Sequence, residues 1–308
     1  MTTWRGLGAS KPWPRQDTTQ FRNILTMNNK ILMSGVEHFA VEELNPYSFS
    51  DNQPSLVEAK QEYSELQAIF EQAGIEITHV GAPEGCQDGI YTANWALCLG
   101  RTALMSNLPN MRQAETPYAT QQLKNLGYEI ETLPHSIKFS GQGDALVCGN
   151  KIFAGYGYRT DLDAHEFIKK LTAKEVISLQ TVPAMNESGQ PIINDVTGWP
   201  DSFFYDIDLA LAVINDNLVA WCPEAFTPAS QELMKDVDVQ KIEVSLEEAV
   251  GGFACNLLST GETVVMSDQA PELEQQLRNE GFKVVTPKMN ELSKGGGYIR
   301  CTTLTLSN

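Results

Sequence analysis

The chain has 308 residues, 39 Asp+Glu against 22 Lys+Arg and a formal net charge of −17, which allows one large domain or two ordinary ones with a sizeable core. An apolar content of 42% with 20% charged residues excludes a disordered or fibrous chain. The acidic balance argues against nucleic acid or an anionic membrane as partner, because both would be repelled, and fits a solubilising surface better than a lure for cations. In chain order, residues 1–27 are polar, carry Pro12 and Pro14, and read as an N-terminal extension before a single domain, 28–308. No secretory h-region precedes it, and no apolar run reaches the roughly 18 residues of a membrane span. Six cysteines (Cys86, Cys98, Cys148, Cys222, Cys255, Cys301) lack any C-x-x-C spacing, so a reduced, cytoplasmic protein is expected.

An amphipathic helix, a short turn and a β-rich strand recur five times, roughly 40 to 60 residues apart. The first copy runs from Tyr63 to Val80, where LQAIFEQAG gives a stripe of period 3.6, Gly74 stops the helix and IEITHV alternates. TQQLKNLG–YEIETL follows with Gly127 at the stop, and the last copy, LEQQLRNEG–FKVVTP, uses Gly281. HEFIKKLTAKEVISL and SQELMKDVDVQKIEVS keep the pattern without the glycine. Between the copies lie further strand-like runs: ALCLG, ALVCG with KIFAGYG, NLVAWC and ETVVMS. Five such α/β units suggest radial closure like propeller blades, the competing architecture being an open doubly wound sheet. GAPEGC and SGQGDA have neither the G-x-G-x-x-G nor the Walker spacing such a sheet would use for phosphate. The long loop-like segment from Thr181 to Ser202 reads equally as a functional flap or a disordered segment.

Four strings carry chemistry. At the C-terminus, Gly295-Gly-Gly297 lets backbone approach a ligand and leads to Arg300-Cys301, a nucleophile candidate beside a cation, with a buried structural thiol as the alternative. Gly141-Gln142-Gly-Asp144 can aim an acid from a loop. In Tyr205-Asp206-Ile-Asp208 the two acids, at i and i+2, share a side if the segment is extended. Buried carboxylates in such an apolar run need pairing, hydrogen bonds or a cationic ligand. Asp88-Gly-Ile-Tyr-Thr-Ala-Asn94 offers an amide to the same cavity. Arg112, opening the next helix with Glu115, suits a bidentate clamp on a substrate carboxylate, its ordinary reading being a surface salt bridge.

These strings, in this order on a five-fold repeat, resemble the amidinotransferase and dimethylarginine dimethylaminohydrolase superfamily of guanidine-modifying enzymes, from about Ile31 to Leu306. The pieces that carry the resemblance are His38-Phe39-Ala40-Val41 with Asn45-Pro46, Tyr91-Thr-Ala-Asn94, Arg112 with Glu115, and Gly141-Gln-Gly-Asp144-Ala-Leu. To these add Gly157-Tyr-Arg159-Thr160, Phe253-Ala-Cys-Asn256, and Gly296-Gly297 through Cys301. They look like the arginine- and dimethylarginine-hydrolysing branch.

The resemblance implies a five-bladed α/β propeller and a hydrolase of a guanidine or amidine C–N bond in an arginine-like small molecule, acting through a covalent adduct on Cys301. It implies that Asp144 and Asp208 grip the guanidinium, while Asn94 and Arg112 hold the amino-acid end. Gln142 and Gly297 complete the expected substrate-binding set. Neither a metal nor an organic cofactor is expected, since no Cys/His spacing fits a metal. A homodimer is compatible with the resemblance.

The chain departs from the family pattern. His-Leu-Asp has become Asp206-Ile-Asp208, Phe-Asp-Val has become Phe39-Ala40-Val41, and Phe-Glu-Gly-Glu-Gly-Asp has become Phe139-Ser-Gly-Gln-Gly-Asp144. Three carboxylate positions are thereby neutral and the histidine position is an acid. Asp206 is then the expected proton carrier, with its pKa raised by burial and Asp208. Of the four histidines, His79 and His165 fall within the repeats, while His38 and His135 lie near strand ends, within reach of a cavity. Two other readings stay open: a related enzyme, such as an amidinotransferase, on a different C–N substrate, and a non-catalytic relative that binds a ligand.

Overall fold

The computed structural model describes residues 27–41, 52–108, 110–194 and 200–306. Most of the predicted N-terminal extension, the Asn45-Pro46 piece and residues 195–199 of the predicted flap lie outside them.

The first repeat folds as its pattern dictates. β1 (Lys30–Ser34) leads to α1 (Leu56–Gln72) and β2 (Glu76–Val80). The helix begins about two turns before the predicted Tyr63, because Ser55 caps it: its Oγ accepts from Glu58 N at 3.4 Å. Ala59, Tyr63, Leu66 and Phe70 form its buried stripe. The glycine stops appear where predicted, with Gly74, Gly127 and Gly281 at φ +85°, +83° and +92°, a region closed to most side chains.

The remaining units repeat the plan. β3 (Ala96–Leu99), β4 (Thr102–Met105), α2 (Glu115–Asn125) and β5 (Glu129–Glu131) form the second. β6 (Ala145–Cys148), β7 (Lys151–Tyr156), α3 (Leu162–Leu171) and β8 (Glu175–Gln180) form the third. The fourth has β9 (Leu211–Asn215), β10 (Leu218–Trp221), α4 (Pro228–Asp236) and β11 (Gln240–Glu243). After a short α5 (Leu246–Gly251), the fifth has β12 (Leu258–Ser259), β13 (Thr263–Val265), α6 (Pro271–Asn279) and β14 (Lys283–Val285). α3 and α4, which lack the glycine, end instead on extended residues, Thr172 and Val237.

Among the described residues the result is a mixed α/β fold of five small sheets, each three-stranded. In each, the middle strand runs antiparallel to one neighbour and parallel to the other, with the helix as the parallel crossover. β15 (Leu304–Thr305) supplies the third strand of the first sheet, pairing Ile31 with Thr305 and Leu32 with Leu304. The last described strand therefore pairs with the first described one.

This repetition has a consequence for chemistry. Just before the first strand of four sheets lies a tight turn that presents polar groups: Thr92–Trp95, Gly141–Gly143, Ile207–Leu209 and the Phe253–Asn256 turn. The turn from Tyr298 to Thr303 does the same before β15. Asn94, Asp144, Asp208, Asn256 and Cys301 all come from these places, and all are buried.

The described part of the predicted flap is held by its own hydrogen bonds. Ala184 N donates to Asp201 O at 2.7 Å and Ile192 N to Ala184 O at 2.9 Å. Its base is tied down by Thr181 Oγ1 on Phe204 O and Ser202 Oγ on Val182 O, each 2.7 Å.

Candidate active site

Cys301 sits in a turn held by Thr302 N on Tyr298 O and Thr303 N on Arg300 O, at 3.3 and 3.1 Å. Asn256 grips it twice: Cys301 N donates to Asn256 Oδ1 and Asn256 Nδ2 donates to Sγ, both at 3.1 Å. The turn that presents Asn256 stores strain, since Phe253 has φ +50°, unusual for a bulky side chain. Phe253 stacks on Tyr298 with centroids 5.5 Å apart, which holds it there. Gly297 must be glycine on steric grounds: a Cβ would lie 2.6 Å from the Tyr91 ring and 3.0 Å from Cys301 Cβ.

The two acids of the Asp-Ile-Asp string part company. The segment is a 3₁₀ turn rather than the predicted extended run, so the side chains diverge instead of sharing a face. Asp206 faces the cleft and is surrounded by donors: Ser140 Oγ at 2.7 Å, Asn94 Nδ2 at 2.8 Å and Arg159 Nη1 at 3.4 Å. Asp208 lies against the thiol, with Sγ donating to Oδ2 at 3.6 Å, while its buried Oδ1 has no hydrogen-bond partner. Burial first, then the charge of Asp206, lifts Asp208 well above the usual carboxylate range. Burial, then Asp208, likewise pushes the Cys301 thiol well up. Burial thus favours the protonated form of both the thiol and Asp208.

The cleft in front of Sγ has a volume of about 260 Å³, and its walls include Asp88, Tyr91, Asn94, Arg112, Tyr205 and Gly297. Asp206, Arg159 and Cys301 complete its charged and reactive lining. Arg112 is buried rather than on the surface. Its Nε donates to Glu115 Oε1 at 2.8 Å and its Nη1 to Asn94 Oδ1 at 2.7 Å. Its Nη2 donates to Glu115 Oε2, Tyr91 O and Asp88 O. Burial works against its charge, but Glu115 and then Asp88 keep it protonated. Arg112 therefore spends most of its donors fixing Asn94 and Glu115, and Glu115 also accepts from Trp95 Nε1 at 2.9 Å.

Four predicted residues sit elsewhere than expected. Gln142 turns away from the cleft: its Oε1 accepts from Arg300 Nη2 and Thr305 N, and its Nε2 donates to Thr305 O. Asp144 is buried behind Asp206 and accepts from Ile207 N at 2.8 Å, and its pKa is raised to about 8 by burial and then by Asp206. It is absent from the cleft walls, because the Gly141–Gly143 turn points it toward Gly155. His38 and His135 are exposed and do not reach the cleft. His165 is buried in α3, bonded to Ser178 Oγ and Gly155 O at 2.7 and 3.0 Å, and burial lowers its pKa. His79 lies at the surface beside Gln67.

Four site residues were given no role by sequence reasoning. Asp88, Arg159 and Asn256 stand inside the motifs quoted above, so a signal existed. Tyr205, beside Asp206, carries Arg159 over its ring at 4.1 Å and donates from its hydroxyl to Gly296 O at 2.5 Å. Nothing in its aromatic run distinguished it from core. Among the described residues no cluster of His, Cys, Asp and Glu could hold a metal, and no helix is long and apolar enough to cross a membrane.

Comparison with known proteins supplies a lineage for this geometry. The N(G),N(G)-dimethylarginine dimethylaminohydrolase of Mycobacterium tuberculosis is 31% identical over 250 residues, 80% of this chain and 76% of that protein. The bifunctional arginine dihydrolase/ornithine cyclodeaminase AgrE of Nostoc sp. is 29% identical over 92% of this chain, which spans 38% of that relative's length. Among solved structures, the N-terminal domain of ArgZ, an arginine dihydrolase of cyanobacteria, superposes with a TM-score of 0.80 at 27% identity, covering 90% of this chain and 97% of that one. The same domain has been solved covalently bound to a reaction intermediate. The family model described as N,N dimethylarginine dimethylhydrolase, eukaryotic, matches residues 45–307. The chain belongs to that family, within the amidinotransferase superfamily.

Proposed function

We propose that this protein hydrolyses a guanidine or amidine C–N bond of an arginine-like amino acid through a covalent adduct on Cys301. The observation that carries this reading is the placement of Sγ between Asn256 Nδ2 and Asp208 Oδ2, at the head of a cleft that bears both carboxylates and arginines. Such a cleft suits a zwitterion with a cationic side chain: an arginine takes the carboxylate and acids take the guanidinium. Arg159 is better placed for the carboxylate than Arg112, whose donors are largely committed. Asp206 and Asp88 face the guanidinium, and Asn94, fixed by Arg112, orients Asp206. Asp144 and Gln142 act from behind, as supports.

The proton work falls to Asp208 rather than Asp206, which is already held by three donors. Sγ forms a bond to the guanidinium carbon and passes its proton through Asp208 to the departing nitrogen, which leaves as neutral ammonia or amine. Water then adds to the amidino carbon and the C–S bond breaks. One water proton returns through Asp208 to Sγ and the second is released, leaving a ureido product. The relatives' activities, arginine dihydrolase and dimethylarginine dimethylaminohydrolase, are of this chemical class.

We further infer that the five sheets are blades of a five-bladed α/β propeller closed by β15 on β1, forming a single domain over residues 28–308 with residues 1–27 as an extension. The site turns before the first strands would then meet at its axis. Six cysteines without a disulfide support a reducing, cytoplasmic setting. The test is incubation with L-arginine, the methylated arginines and agmatine, with assays for ureido product and released ammonia or methylamine. At least one substrate turns over in the wild type and none in Cys301→Ser. No turnover of any of them, together with no mass adduct on Cys301, would leave only ligand binding.

A further inference from the structure

A second cavity, of about 460 Å³, lies on the far side of Asp208 from the cleft; Asp208, Arg300, Thr305, Val147, Val213 and Leu257 are among its walls. Its relation to the site comes from the same two turns. The Ile207–Leu209 turn sends Asp206 forward and Asp208 back, and the Tyr298–Thr303 turn sends Cys301 forward and Arg300 back. Asp208 is the side chain that bridges the wall, with Oδ2 3.6 Å from Sγ and Oδ1 buried and unpaired. A buried carboxyl oxygen with no donor costs stability unless a small hydrogen-bonding molecule visits it.

We propose that this rear cavity is the path by which water reaches, and ammonia or a small amine leaves, the carbon held on Cys301. The inference rests on the hydrolytic reading above. That chemistry poses a traffic problem: the first product leaves and water enters while the rest of the substrate is still bound to sulfur. The front cleft, whose walls include Asp88, Asn94, Arg112, Arg159 and Asp206, holds that rest of the substrate. The back route meets Asp208 first, so an incoming water arrives at the group that takes its proton. The rear lining also suits the cargo. Arg300, with Nη1 on Thr303 O at 2.7 Å and Nη2 on Gln142 Oε1 at 3.0 Å, keeps a positive charge beside the cavity, which disfavours ammonium and passes neutral ammonia and water. Asn28, Gln142 and Thr305 add polar groups to the remaining walls, and Val147 on β6 and Val213 on β9 are only partly buried, so they mark the outer side.

The experiment obstructs this side without touching the thiol. Val147→Trp, Val213→Trp and the double variant are compared with wild type and with Val213→Ser in quenched single turnovers, reading the Cys301 adduct by intact mass. Adduct formation at the wild-type rate shows that fold, cleft and thiol are intact. Its resolution slows by at least about tenfold in the double variant, so adduct accumulates, while Val213→Ser resolves it normally. Resolution at the wild-type rate in all three tryptophan variants overturns the rear path and leaves the hydrolytic reading standing. A wild type that forms no adduct and turns over no guanidine overturns both.

Discussion

The two sides of Cys301 are built on opposite plans. In front, Asp206 is saturated with donors, and acids and arginines alternate around the cleft. Behind, Asp208 keeps one oxygen against the thiol and one oxygen unpaired, beside a cavity whose walls mix aliphatic residues with Gln142, Arg300 and Thr305. Two carboxylates separated by a single isoleucine therefore have different chemistry. The first is oriented in the cleft by its donors, and the second is lifted above the usual carboxylate range by burial.

The largest effect expected from this contrast is at Asp208. Asp208→Asn keeps the shape but removes the proton carrier, and kcat falls by about 10²–10⁴-fold with little change in KM. Asp206→Asn weakens substrate binding instead, raising KM about 10–100-fold, the value of a hydrogen bond to a charged group. Steady-state kinetics on both variants check the pair. If the kcat loss falls on Asp206 and Asp208 tolerates asparagine, the assignment is reversed.

A smaller effect lies in stability. Asp144 titrates near 8 in the folded protein, against about 3.9 for a free side chain. Between those values the folded state holds the extra proton, so this group's contribution favours the fold at low pH and is lost as pH rises toward 8. Asp144→Asn should flatten that fall. Denaturant titrations at pH 5 and pH 8 measure it, and an unchanged pH slope would remove Asp144 as its source.

Much of the fold was legible because each repeat is locally self-sufficient. The stripe of α1, the glycine at φ +85° and the alternation of β2 are short-range signals, and so are their counterparts around Gly127 and Gly281. The true start of α1 was not legible, because it depends on the Ser55 cap rather than on apolar periodicity. In the site, Cys301 and Gly297 were marked by the glycine run, and Asp206 and Asp208 by acids in an apolar string. What sequence could not give was direction. Whether Asp206 or Asp208 meets the thiol depends on a 3₁₀ turn in place of a strand. Whether Gln142 faces substrate depends on its contacts with Arg300 and Thr305, some 160 residues away. Arg112 was expected at the amino-acid end of the substrate or in a surface salt bridge, and its commitment to Asn94 and Glu115 is assembled only by the fold.

The central claim is that Asp208 is the proton partner of Cys301, and the thiol itself reports on it. The pH dependence of iodoacetamide alkylation at Cys301, followed by peptide-resolved mass spectrometry, compares wild type, Asp208→Asn and Asp206→Asn. The wild-type thiol should titrate above the ordinary cysteine range, fall clearly in Asp208→Asn and move less in Asp206→Asn. A thiol that titrates in the ordinary range in wild type, or that responds to Asp206 and not to Asp208, would contradict the account.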